Sequence, residues 1–158
     1  RWARYEAFIP EDERGDMIAA YWKRLDSPDL SVRIAAAQAW LGWEDNAATL
    51  LHDVNAVSDE DPQQTLAKAR IEAHYFRHNA FLEHGQLLRN IDRIRHLPGM
   101  IVQGRYDIIC PARSAWELAQ AWPEARLEMV LSGHSATEAA TTDALIRATD
   151  AALGGHAG

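Results

Sequence analysis

Apolar positions recur with helical spacing through the first part of the chain, and the period changes near His96-Leu97-Pro98-Gly99. From Asp16 to Leu25, residues Met17, Ile18, Tyr21, Trp22 and Leu25 form the i, i+1, i+4, i+5, i+8 stripe of an amphipathic helix. Ser27-Pro28-Asp29 breaks it, and Asp29 or Ser31 is placed to cap a second helix through Val32, Ile34, Ala35, Trp40 and Trp43. The acidic stretch Ser58-Asp59-Glu60-Asp61-Pro62 reads as a loop. Pro62 suits the first turn of a third helix reaching about Arg77, with Asp61 as its N-cap. Leu87 to Ile94 reads as a short fourth helix.

Beyond Pro98 the signals are those of strands. Met100-Ile101-Val102-Gln103-Gly104 is a short apolar run, rich in branched residues, and predicts a buried strand. Arg105 to Cys110 follows as a loop, and Pro111 opens a helix that Trp122-Pro123 ends. Arg126 to Leu131 predicts a second strand, Ser132-Gly133-His134 a turn, and Thr137 to Leu153 a closing helix ended by Gly154-Gly155. A strand–loop–helix–strand order makes the two strands parallel. Two parallel strands do not make a self-standing sheet. The expectation is therefore an α/β fold represented by its end: a helical segment over 1–96, then a terminal β/α/β/α part over 97–158.

Composition changes this picture little. Of 158 residues, 25% are charged and 47% are hydrophobic, an ordinary globular balance. A net charge of −7 argues against nucleic acid, whose phosphates need clustered cations. The single cysteine excludes an intrachain disulfide framework and fits a reducing, cytoplasmic compartment; a lone Cys such as Cys110 is ordinarily buried and inert. No apolar run approaches the roughly 20 residues of a membrane span, and Arg1-Trp2-Ala3-Arg4-Tyr5 has no signal-peptide character. The chain lacks a starting Met, which fits a piece of something longer.

Two constellations carry candidate chemistry. Asp107 lies just past the end of the first strand and His134 just past the end of the second, where open α/β sheets place their catalytic groups. Asp before His across one crossover is the chain order of the α/β-hydrolase triad, in which a carboxylate fixes the tautomer of an imidazole base that activates a hydroxyl. Singly, Asp107 could serve only as a helix cap and His134 only as a turn residue; together, at matching strand ends, they point to function. The nucleophile is missing: no Gly-x-Ser-x-Gly elbow exists, Ser135 directly follows His134, and Ser114 falls in a helix.

The second constellation is in the helical segment. Trp40, Trp43 and Glu44 share one helical face, as do Glu72, Tyr75 and Phe76. A carboxylate beside aromatic rings in a partly dry cleft attracts cations, so two of them could hold an ammonium group. The alternative is that the rings fill a core while the glutamates face water. The same carboxylates could form a glycosidase acid–base pair, but nothing around them indicates sugar recognition. His74 and His78 have zinc-compatible i, i+4 spacing, without a third ligand or the HExxH glutamate.

Taken together, Ala39-Trp40 with Trp43-Glu44, Ile71-Glu72-Ala73-His74-Tyr75-Phe76, Gly104-Arg105-Tyr106-Asp107 with Cys110-Pro111, and Gly133-His134-Ser135 resemble the proline iminopeptidase (prolyl aminopeptidase) family of α/β-hydrolase serine peptidases. The resemblance implies the C-terminal half of that fold, a helical cap followed by the last two strands. It implies that Asp107 and His134 are two triad members and that Glu44 and Glu72 bind the free α-amino group of an N-terminal proline. The nucleophile elbow and oxyanion loop would belong to a missing N-terminal half, so the chain alone is expected to be inactive. No cofactor and no metal are required by that chemistry. Two other readings remain: another capped α/β-hydrolase, such as an esterase or epoxide hydrolase, or a non-catalytic helical interaction module.

Overall fold

In a computed structural model of the chain, the structure describes residues 2–51 and 61–154. The acidic residues Ser58 to Glu60 and the helix-ending Gly155 lie outside the described residues. The fold is helix-rich with a small parallel sheet, compatible with part of an α/β fold. Its elements are α1 (Trp2–Ala7), α2 (Met17–Leu25), α3 (Leu30–Ala48), α4 (Pro62–Arg77), α5 (Gln86–Arg89), β1 (Gly99–Gly104), α6 (Ala112–Ala121), β2 (Ala125–Val130) and α7 (Ala139–Gly154). The chain forms two compact units, one holding residues 2–46 with 61–84 and the other 47–51 with 85–154. No helix among the described residues is long and apolar enough to cross a membrane.

In the first unit, side-chain caps start the helices, at Asp29 and Asp61 as the sequence predicted and at Asp16, which it did not single out as a cap. The Asp16 carboxylate accepts the Ala19 N–H at 2.9 Å, and Asp61 accepts that of Gln63 at 3.1 Å with Pro62 in the first turn. Of the two cap candidates for α3, Asp29 acts: it accepts from the Ser31 backbone N–H and hydroxyl. The core gathers Tyr5, Ile9, Tyr21, Leu25, Trp40 and Leu66 around the alanine faces of α3 and α4. Tyr21 is fully buried, stacks on Tyr5 at 4.5 Å between ring centroids, and donates its hydroxyl to the Tyr5 carbonyl at 2.8 Å. That burial of a polar tip is tolerated because its donor is satisfied. Helix α1 and the 3₁₀ turn Glu11–Asp16 were not foreseen.

In the second unit, β1 and β2 pair in parallel, from Gly99 opposite Ala125 to Gly104 opposite Val130, and α6 and α7 both pack on them. The predicted fourth helix is instead the single turn α5 and a 3₁₀ turn, Ile91–Arg93, separated at Asn90. The expectation of a buried first strand also fails: only Gly104 of β1 is buried, and Met100 stays 39% exposed. The reason is geometric, since in a two-stranded sheet each strand has an unpaired edge and the flanking helices cannot cover both faces.

Candidate active site

Both loops at the C-terminal ends of the strands belong to the second unit, and they meet. Gly104, the last residue of β1, is where they touch. A Cβ built there would run into the Gly133 carbonyl oxygen and lie 2.9 Å from that of Ser132. Only the absence of a side chain lets the post-β2 turn come this close. Gly133 is equally confined, since a Cβ there would meet the Ala48 carbonyl oxygen at 2.8 Å. Gly104→Ala is therefore expected to lower stability by about 1–3 kcal/mol, the usual cost of overpacking, because the obstructing atom is backbone. A denaturant midpoint unchanged from wild type would refute the contact.

The turn after β2 is fastened from several sides. The N–H groups of His134 and Ser135 both donate to the Ala48 carbonyl at 2.7 Å. The Glu138 carboxylate accepts the Gly133 N–H at 2.6 Å and the Leu50 N–H at 3.1 Å. Beneath it, Ser132 and Thr141 share a buried hydroxyl–hydroxyl hydrogen bond of 2.7 Å. His134 is thereby held on a rigid turn while its own ring stays 36% exposed.

Asp107 sits in the loop after β1 with its side chain 5% exposed. Its Oδ1 accepts the backbone N–H groups of Ile109 at 2.9 Å and Cys110 at 2.8 Å, an Asx-type turn that sets the side-chain orientation. Its Oδ2 lies 3.0 Å from Nδ1 of His134 and 3.2 Å from Nε2 of Gln103. Burial works to raise the Asp107 carboxyl, but the Cys110 N–H, the His134 ring and the Ile109 N–H outweigh it and hold it below the usual carboxylate range. The carboxylate is thus ionised at neutral pH and faces the imidazole nitrogen that must carry a proton if Nε2 is to act as base.

Cys110 is exposed rather than buried, contrary to expectation, because it lies at the rim of the same loop. Partial burial and then the Asp107 charge push its thiol up, so it is a poor nucleophile. Ser135 bonds to the Thr137 hydroxyl at 2.7 Å, and Ser114 lies within α6. Neither stands on a strand-to-helix elbow.

The first unit brings the two glutamates together. Glu44 is on α3 and Glu72 on α4, near enough for Glu72 to act on the Glu44 carboxyl. The Trp40 indole N–H donates to Oε2 of Glu72 at 2.8 Å. Trp40 belongs to the core, against Tyr21 at 5.4 Å, with Phe76 at 6.0 Å on its other side. Both ways of placing these residues are partly realised: the ring fills the core, yet the two half-buried carboxylates face each other rather than open water. Burial first, then the hydrogen bond and charge of Glu72 and the charge of Asp45, raise Glu44 to about 7 against a small opposing effect of Lys68. Beside Glu72, the neutral form of the Glu44 carboxyl is favoured.

The His74 and His78 rings lie 4.8 Å apart and pack on Phe81, and among the described residues no third His, Cys, Asp or Glu joins them. Sequence reasoning missed Gln103, Glu138 and the Ser132–Thr141 pair. Only Gln103 carried a signal, as the one polar side chain in an apolar strand run.

No family model matches the chain. Curated proteins named proline iminopeptidase do. The protein of Xanthomonas citri is 50% identical over 153 residues, covering 94% of this chain and 49% of its own length. That of Xylella fastidiosa (strain Temecula1) is 49% identical over 152 residues, with the same two shares. That of Arabidopsis thaliana is 46% identical over 153 residues, covering 94% of this chain and 40% of its own. The chain is thus a relative of the proline iminopeptidases, and it spans about half the length of the curated proteins it matches.

Proposed function

We propose that this chain is the C-terminal portion of a serine peptidase that releases proline from the N-terminus of peptides. The observation that carries the reading is the 3.0 Å contact between Asp107 Oδ2 and His134 Nδ1, made where two parallel strands end. In this reading residues 97–158 are the terminal β/α/β/α part of an α/β-hydrolase core and residues 1–96 its helical cap segment. The remainder of the core, a missing N-terminal half, supplies further strands, the nucleophilic serine and the oxyanion donors. Support comes from the unpaired sheet edges and from apolar side chains left bare in the second unit: Leu131 is 69% exposed, Ile108 68% and Trp116 55%.

The chemistry follows from the residues. His134, with Nδ1 engaged by Asp107, takes the serine proton on Nε2 as the hydroxyl attacks the prolyl carbonyl. It then returns that proton to the leaving amine. Asp107 holds the ring's tautomer and stabilises the imidazolium. Glu44 and Glu72 bind the cationic proline nitrogen, so that only an unblocked N-terminus is accepted. None of these steps calls for a metal or a cofactor.

The test is a graft. This chain replaces the 153 residues that it matches in the Xanthomonas citri relative. The chimera is then assayed with prolyl p-nitroanilide and with its N-acetylated form. The free amine is expected to be hydrolysed and the blocked one refused. The 158-residue chain alone is expected to turn over neither, for want of nucleophile and oxyanion donors. A chimera without prolyl turnover, or one that prefers the blocked substrate as an esterase-type site would, overturns the proposal.

A further inference from the structure

A glutamine at the end of a strand run of Met, Ile and Val is costly unless its amide is satisfied. Gln103 is half-buried, and its Nε2 lies 3.1 Å from the Gly104 carbonyl oxygen, 3.1 Å from the Cys110 carbonyl oxygen and 3.2 Å from Asp107 Oδ2. All three are acceptors without a proton of their own. The amide can therefore face them only with its nitrogen, which settles its orientation on chemical grounds. One side chain thus ties together the end of β1, the far end of the loop 105–110 and the carboxylate carried by that loop.

We infer that Gln103 is a positioning residue that holds the Asp107 carboxylate so that Oδ2 keeps one lone pair directed at His134. The assignment rests on the triad reading of Asp107 and His134 and adds a part to it. Asp107 has four donors, two on each oxygen. The Ile109 and Cys110 N–H groups hold Oδ1, but they leave the carboxyl plane able to tilt about that pair. Gln103 engages Oδ2 from the strand side, so that His134 meets the oxygen from the opposite loop. The titratable groups facing this carboxylate are His134 and the Cys110 thiol, and Cys110 touches it through its backbone N–H. Gln103 is the side-chain donor that does not titrate, so the restraint it supplies is the same at every working pH.

In the chimera, Gln103→Met keeps the length of the side chain and removes its donors. Loss of one of four hydrogen bonds to a charged group should lower kcat about tenfold with little change in KM. The acid limb of kcat/KM, which reports the ionisation shared by the Asp107–His134 pair, should move up by about half a pH unit, because Oδ2 loses a competing donor. Gln103→Glu should do both more strongly by placing a second carboxylate beside the first, and it serves as the reading if the methionine variant does not fold. A purely structural glutamine would lower the melting temperature and leave the kcat and acid limb of the folded enzyme unchanged, and that result overturns the inference. Asp107→Asn and His134→Ala separate the two levels. If these retain normal kcat, the triad reading itself fails. If they abolish turnover while both Gln103 variants retain wild-type kcat and acid limb, the positioning role alone fails.

Discussion

Asp107→Asn in the chimera is expected to lower kcat by up to about 10⁴-fold, and His134→Ala by at least as much. The hydrogen bonds around Asp107 show why an isosteric change is so damaging. The oxygen of an asparagine side chain must take the place of Oδ1, because the Ile109 and Cys110 N–H groups both require an acceptor. Its NH₂ group then falls where Oδ2 stood. There it points at the Gln103 amide, which is also a donor, and at Nδ1 of His134. Nδ1 can meet it only as an acceptor, which forces the ring proton onto Nε2, the atom that should receive the serine's proton. The opposite amide orientation sets two backbone donors against an NH₂ group and is worse. The fold itself should survive, since shape and most contacts persist. kcat with prolyl p-nitroanilide and a thermal melt measure the two sides, and near-normal kcat in either variant would show that the triad assignment is wrong.

Glu44→Gln and Glu72→Gln are each expected to lower kcat/KM for substrates with a free proline amine by roughly 10- to 150-fold, the equivalent of about 1.5–3 kcal/mol for a charge-assisted contact. A prolyl analogue without the amine, presented as a neutral ester, is the control, and its hydrolysis should change little. Equal losses on both substrates would make the glutamates structural or catalytic. No loss on either would remove the amine-binding role and leave the triad intact. Solvated surface glutamates would produce changes within about 0.5 kcal/mol.

The raised Glu44 carboxyl gives this site a pH signature as well. Glu44 is raised from 4.5 to about 7 in the fold, so between those values the folded state holds a proton that the unfolded chain has released. The stability it contributes is fully present below pH 4.5 and is lost as pH rises through about 7. Glu44→Gln should abolish that dependence, read as denaturant midpoints converging toward the acid side of the window. An arriving ammonium favours the doubly ionised pair and expels the proton. KM for the free-amine substrate should accordingly fall as pH rises through the same range, while KM for the ester stays flat. In Glu72→Gln the amide oxygen goes to the Trp40 indole and its NH₂ faces Glu44, so the Glu44 titration should move to lower pH.

Much of the local structure was legible in the chain itself. The caps at Asp29 and Asp61 act within two residues, so neighbours along the sequence suffice to set them. The parallel pairing of β1 and β2 followed from the crossover between them, and Asp107 and His134 could be read as partners because strand ends are where such folds gather chemistry. The short turns were less legible. Six residues of α1 carry no periodic stripe, and Asn90 interrupts what looked like one helix between Leu87 and Ile94.

What the tertiary structure alone decided lies in contacts between segments distant in sequence. Gly104 reads as an ordinary strand end until the carbonyl of Gly133 is found against it. Glu44 and Glu72 stand on separate helices, and the Glu44 carboxyl is raised in part because α4 brings Glu72 beside it, while Trp40, anchored in the core, donates to Glu72. Periodicity and capping depend on hydrogen bonds a few residues long and so leave a trace in any short window. Close approach of backbones and the pairing of carboxyl groups from two helices depend on packing between distant segments, and no short window of sequence contains both partners.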